Sequence, residues 1–173
     1  MTPVREALRR LIAEGALEAQ GNRRISVPRL TRANVDELIF ARQAIDPKLV
    51  SMATSNITKA NMAALTAEDE ALDRAIVAGN IPGYLQHNYR FHTMLYDIAD
   101  APILRSVALR MWLQFGPSLR VVCGRVGTQN LVDEHKEVLA AMAEGDAERA
   151  AAAIRADVLQ GMEQVRRTFD VSD

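Results

Sequence analysis

Cysteine is almost missing from this chain: Cys123 is the one thiol in 173 residues. An internal disulfide framework is therefore excluded, and the thiol usage fits a reducing, cytoplasmic setting. No apolar run approaches the ~18 residues that a membrane-spanning helix requires. No basic-then-apolar leader marks a secretory signal. Common enzyme signatures are lacking too, with no glycine-rich phosphate loop, no G-x-S-x-G and no C-x-x-C pair. An apolar share of 49% with 25% charged residues places the chain among soluble globular proteins of about one domain.

Charge is present but unevenly spread. The net charge is −1, yet residues 1–32 hold seven arginines against three glutamates, while residues 33–173 hold 14 basic and 19 acidic side chains. A compact basic segment ahead of an acidic body points to an anionic partner for that segment. A solvated helix face would have the same composition.

The hydrophobic spacing reads as helices throughout, apart from one hairpin. Val4, Leu8, Leu11 and Ile12 form one face of a helix over 2–14, with Arg5, Arg9 and Arg10 opposite. Thr2-Pro3 is a cap-and-first-turn pair, and Gly15 is a stop. "ALEAQ" and "RISVP" flank "GNR" as a small β-hairpin with a basic tip. From Thr31 onward six helices follow. They run over 31–54 (kinked or split at Pro47), from Asn56 as cap to Gly79, and from Asn80 through "YLQHNYRFHTMLYDIA". The rest run from "APILR" through a Gly116-Pro117 bend to Cys123, from about Thr128 to Glu144, and from the cap Asp146 to about Phe169. Short connections make this an all-α, antiparallel helical bundle. Two units are expected, residues 1–30 and 31–173.

Polar residues interrupt the apolar stripes of that bundle. Asn88 and His92 stand one turn apart in a stripe with Leu85, Tyr89, Leu95, Tyr96 and Ala99. His135 falls in the line of Leu131, Val138, Leu139 and Met142. Asp157 borders the line of Ala151, Ile154, Val158, Met162 and Val165. Either histidine alone reads as a core residue hydrogen-bonded to a neighbour. Burying all four groups without a shared partner costs several kcal/mol, and a divalent metal (Zn, Ni, Mn or Fe) would satisfy them together. His87 lies about 140° around the helix from His92 and reads as a surface residue. Arg42 and Arg120 are candidates to clamp a carboxylate ligand, or to be ordinary ion-paired or exposed arginines.

"TPVREALRRLIAEGALE" with its basic wing resembles the end of the winged helix-turn-helix of GntR-type bacterial transcription regulators. "NYRFHTMLYDIADAPIL" and "DEHKEVLAAMAEGDAERAAAAIRADV" resemble the helical effector-binding (FCD-type) domain of the FadR-like subgroup. The resemblance implies a homodimeric, ligand-responsive regulator, not an enzyme, whose helical domain binds a small organic acid over a divalent metal. Family sites use one Asp and three His. Here Asn88 stands at the Asp position, His92 and His135 match, and Asp157 replaces the last His, so oxygen donors are kept. Pro47 after Asp46, where the family usually has Glu, is another departure. Thr2, Arg5, Arg23 and Arg24 match the recognition helix and wing that contact operator DNA. The two helices that normally precede them are expected upstream, through a late-assigned start or a truncated chain, and DNA binding by these 173 residues is then expected to be weak and unselective. Two other classes compete: a metal-dependent enzyme in a helical bundle, and a purely structural dimerisation module.

Overall fold

The computed structural model describes residues 3–21, 24–126 and 134–170. The first helix, α1 (Pro3–Ala13), buries none of its side chains and stops at Gly15, whose φ of +77° is the left-handed turn that favours glycine. Strands β1 (Glu18–Gln20) and β2 (Arg24–Ser26) pair antiparallel, with Ala19 opposite Ile25. The expected hairpin is present, and its tip at Asn22 and Arg23 lies outside the described residues, as does Thr2.

Six helices follow: α2 (Arg32–Asn56), α3 (Lys59–Val77), α4 (Ile81–Ile98), α5 (Pro102–Val126), α6 (His135–Glu144) and α7 (Ala147–Asp170). Caps explain most of the boundaries. Thr31 and Thr58 each accept a bond from the third residue of the following helix, and Asn34 and Asn61 reciprocate to the cap amides. Asn80 caps α4 through Gly83 N, Gly145 closes α6 at φ +73°, and Asp146 accepts from Arg149 N to open α7.

Three expectations about helix ends and continuity change. Asn56 does not cap α3; its amide donates instead to the carbonyls of Ile98 and Ala99 at the end of α4, at 3.1 and 3.3 Å. Thr58 is the better cap because Asn61 completes the reciprocal pair. Second, Pro47 does not split α2, which continues through it with Pro47 itself buried. A proline removes one internal amide bond, and here tertiary packing holds the helix on both sides of the gap. Third, α6 begins at His135, not near Thr128, because Glu134 has left the helical region (φ −105°, ψ 17°). Leu131, expected in the α6 stripe, lies outside the described residues.

The longest interface is α2 against α7, with α4 and α5 closing the other sides of the core and α3 and α6 packed on α4 and α7. Phe91, Leu95, Tyr96, Phe115, Val158 and Met162 are among the side chains fully buried in that core. Tyr89, expected inside, is 44% exposed and lies edge-on to Trp112 instead. No helix among the described residues is long and apolar enough to cross a membrane.

Candidate functional site

Three helices deliver one donor each to a single point in the bundle. His92 from α4, His135 from α6 and Asp157 from α7 place ligand-capable atoms within 4.8 Å of one another. His92 Nε2 lies 3.2 Å from Asp157 Oδ2, and His135 Nε2 lies 3.7 Å from Asp157 Oδ1. Both imidazoles are buried, and their ring centres are 5.4 Å apart at an angle of 75°. The i, i+4 spacing expected for Asn88 holds: it is buried one turn before His92 and lines the same cavity.

Electrostatics favours an anionic carboxylate beside the two rings. Burial opposes charge on His92 and pulls its pKa below the ordinary histidine value, with Asp157 working the other way. Burial also opposes charge on Asp157, but the two histidines and the Glu134 backbone N–H outweigh it and hold the carboxyl well below the usual range. His92 Nδ1 is buried with no hydrogen-bond partner. An imidazole–imidazole–carboxylate set with such an orphaned nitrogen, and an amide oxygen nearby, fits a Zn, Ni, Mn or Fe cation held by Asn88, His92, His135 and Asp157.

Beside these donors is a cavity of about 30 Å³, lined in part by Arg42, Asn88, His92, Trp112, Asp157 and Gln164. That is room for roughly two water molecules. Arg42 is buried on α2 and donates from Nε to Asp46 Oδ2 at 2.9 Å. Its Nη2 is 2.8 Å from the same oxygen, so two of its nitrogens turn to Asp46. The guanidinium lies over Phe115 and Trp112, 4.4 and 5.0 Å from their ring centres. Burial works against its charge, but Asp46, Tyr96 and Asp157 together outweigh that, so the group stays cationic.

Arg120 is placed differently: it is exposed on α5 and takes no part in the cavity wall. His87 is part-buried and pairs with Glu68 at 2.7 Å, away from the three donors. Arg5 and Arg24 are exposed on α1 and β2, as a nucleic-acid contact requires. Sequence reading passed over Asp69, which is buried on α3 with its Oδ1 3.5 Å from His135 Nδ1. Burial raises the Asp69 pKa, but His135 and Lys136 prevail and hold it below the usual range. Leu65, Asp69 and Leu72 share one stripe, so a periodicity signal was there.

Comparison with known proteins identifies the family. Residues 37–160 match the family described as the FCD domain. The HTH-type transcriptional regulator McbR of Escherichia coli (strain K12) is 28% identical over 151 residues, 86% of this chain and 68% of that protein. The solved structure of E. coli McbR/YncC superposes with a TM-score of 0.88 at 23% identity, covering 95% of this chain and 83% of that one. A transcriptional regulator GntR from Rhodococcus sp. RHA1 gives a TM-score of 0.75 at 17% identity, covering 94% and 78%. These relatives are regulators, not enzymes, which sets aside the metal-dependent enzyme.

Proposed function

The chain belongs to the FCD domain family of GntR-type transcription regulators, and we propose that its bundle senses a small organic acid over a divalent cation. Asn88, His92, His135 and Asp157 would hold the cation, which supplies a Lewis-acidic anchor for the acid's carboxylate when bound. Arg42, in the wall of the cavity beside these donors, would meet the carboxylate. One observation carries the reading: two buried histidines and a carboxylate meet at one point, and His92, Asp157 and the buried Arg42 line the cavity beside it. As a structural dimerisation module alone, the chain would gain nothing from these groups, which cost stability to bury.

The cavity is too small for most organic acids as it stands, so binding must move its walls. Trp112, Phe115 and Leu119 of α5 form one wall. On the far side of the same turns, Met111 and Gln114 line a cleft with Pro28, Arg29 and Leu30, the residues joining the hairpin to α2. A Cβ on Gly15 would sit 3.1 Å from the Gln114 amide, so the end of α1 rests against α5. A shift of α5 on ligand binding would thus reach the DNA-reading segment directly. Thr2, Arg5, Arg23 and Arg24 are the proposed contacts to operator DNA, and Phe40, 79% exposed on α2, belongs to the surface proposed to pair two copies as a homodimer.

The test is metal content by mass spectrometry, followed by titration with small mono- and dicarboxylates. Wild-type protein should retain one cation per chain, and His92→Ala should retain none while His87→Ala is unchanged. Arg42→Lys should lose acid binding and keep the cation, whereas Arg120→Ala reports on the second arginine candidate. Full metal content in His92→Ala would refute the site.

A further inference from the structure

Asp69 stands outside the cavity and touches the proposed metal site from behind. It occupies an apolar stripe of α3 between Leu65 and Leu72, where it is only 4% exposed. Its Oδ1 faces His135 Nδ1 at 3.5 Å, while the opposite ring nitrogen, Nε2, faces Asp157 Oδ1 at 3.7 Å. Phe91 stacks flat on the same ring, with centres 3.9 Å apart and planes 13° from parallel. The carboxylate itself is held in place: Lys136 Nζ lies 3.6 Å from Asp69 Oδ2 and 2.8 Å from Asp73 Oδ2.

A neutral imidazole carries one proton, and its partners decide which nitrogen holds it. A carboxylate facing Nδ1 at 3.5 Å favours the proton on that nitrogen, which leaves the lone pair on Nε2, the nitrogen turned toward Asp157. We propose that Asp69 is the positioning residue of the site, fixing His135 as the Nδ1–H tautomer with Nε2 presented as a ligand. The inference rests on the metal reading above for its purpose, though the tautomer can be tested without any metal. At His92 the carboxylate lies at Nε2 instead, and no carboxylate is paired with its Nδ1. His135 is therefore the anchored donor, and His92 the one whose ring can adjust to the cation.

The experiment uses the full chain, with Zn(II) and Co(II) as probes. In metal-free protein, long-range 1H–15N correlation spectra should show His135 as the Nδ1–H tautomer, and Asp69→Ala should abolish that preference. Zn(II) affinity should fall about 10- to 100-fold in Asp69→Ala, with stoichiometry unchanged. Asp69→Asn, whose amide oxygen still accepts from Nδ1–H, should lose less, and Glu68→Ala next door should lose nothing. If Asp69→Ala does not fold, Asp69→Asn and the wild-type spectrum still decide the matter. An Nε2–H tautomer in the wild type would overturn the proposal, as would Zn(II) affinity within twofold of wild type in a folded Asp69→Ala. Wild-type protein that binds neither ion would refute the metal reading instead, leaving the tautomer result to judge Asp69.

Discussion

His92 Nε2 and Asp157 Oδ2 are 3.2 Å apart, and the other oxygen of the same carboxylate faces His135, so one side chain of α7 bridges imidazoles of α4 and α6. Without a cation, the His92–Asp157 contact still ties α4 to α7. Asp157→Ala should therefore destabilise the chelator-treated protein by about 1 to 3 kcal/mol, the cost of leaving the buried His92 N–H unsatisfied. Asp157→Asn keeps one acceptor and should cost less. Urea denaturation measures both, and an alanine variant within about 0.5 kcal/mol of wild type would mean the bridge contributes nothing.

Acid should weaken the same metal-free fold. His92 has a folded pKa below its unfolded value of about 6.5, so the unfolded chain takes up a proton that the native state refuses. Stability is then lost as pH falls below about 6.5, at up to about 1.4 kcal/mol per pH unit. Asp157 acts in the same sense at lower pH. Its carboxyl is held below the unfolded value, so its contribution is complete above about pH 4 and lost as pH falls through the folded pKa. Melting in chelator from pH 8 to 5 checks the first part, and the decline should flatten in His92→Gln. A stability that rises on acidification would contradict both assignments.

Much of this was legible in the chain itself, for a local reason. Caps and stripes are set by neighbours three or four residues away, so Thr31, Asn80, Gly145 and Asp146 marked their helix ends, and His92, His135 and Asp157 stood out among apolar neighbours. Asp69 was hidden by its company. Glu68 and Glu70 make "AEDE" look like a solvated acidic turn, although Glu68 pairs with His87 and only Asp69 turns inward. Tyr89 misled in the opposite direction, because an amphipathic ring at a stripe's edge can rest on Trp112 while staying in water. The Arg42–Asp46 pair was half visible, since the i, i+4 spacing is local but the aromatic rings over Arg42 come from α5.

Arg42 and Asp46 should behave as a unit. Arg42→Ala strands a carboxylate that is fully buried, and should cost about 3 kcal/mol or more. Adding Asp46→Ala should recover part of that loss, because the uncompensated charge is gone. A double-mutant cycle by urea denaturation gives the coupling energy. Additive effects would show that the two side chains do not depend on each other.

The DNA-facing residues make a prediction in salt. Arg5 on α1 and Arg24 on β2 are exposed in the basic segment, ahead of an acidic body that would repel phosphate. If both neutralise phosphates, each alanine substitution should weaken binding about equally on operator and random duplexes. Each should also flatten the slope of log affinity against log salt by about one, since one fewer counterion is released. Fluorescence anisotropy between about 50 and 200 mM salt covers the range in which such contacts fade. Arg120→Ala, an exposed arginine on the bundle, is the control and should leave the slope unchanged. An Arg24→Ala variant that loses operator affinity alone, with its salt slope intact, would mean that the side chain reads a base edge and not the backbone.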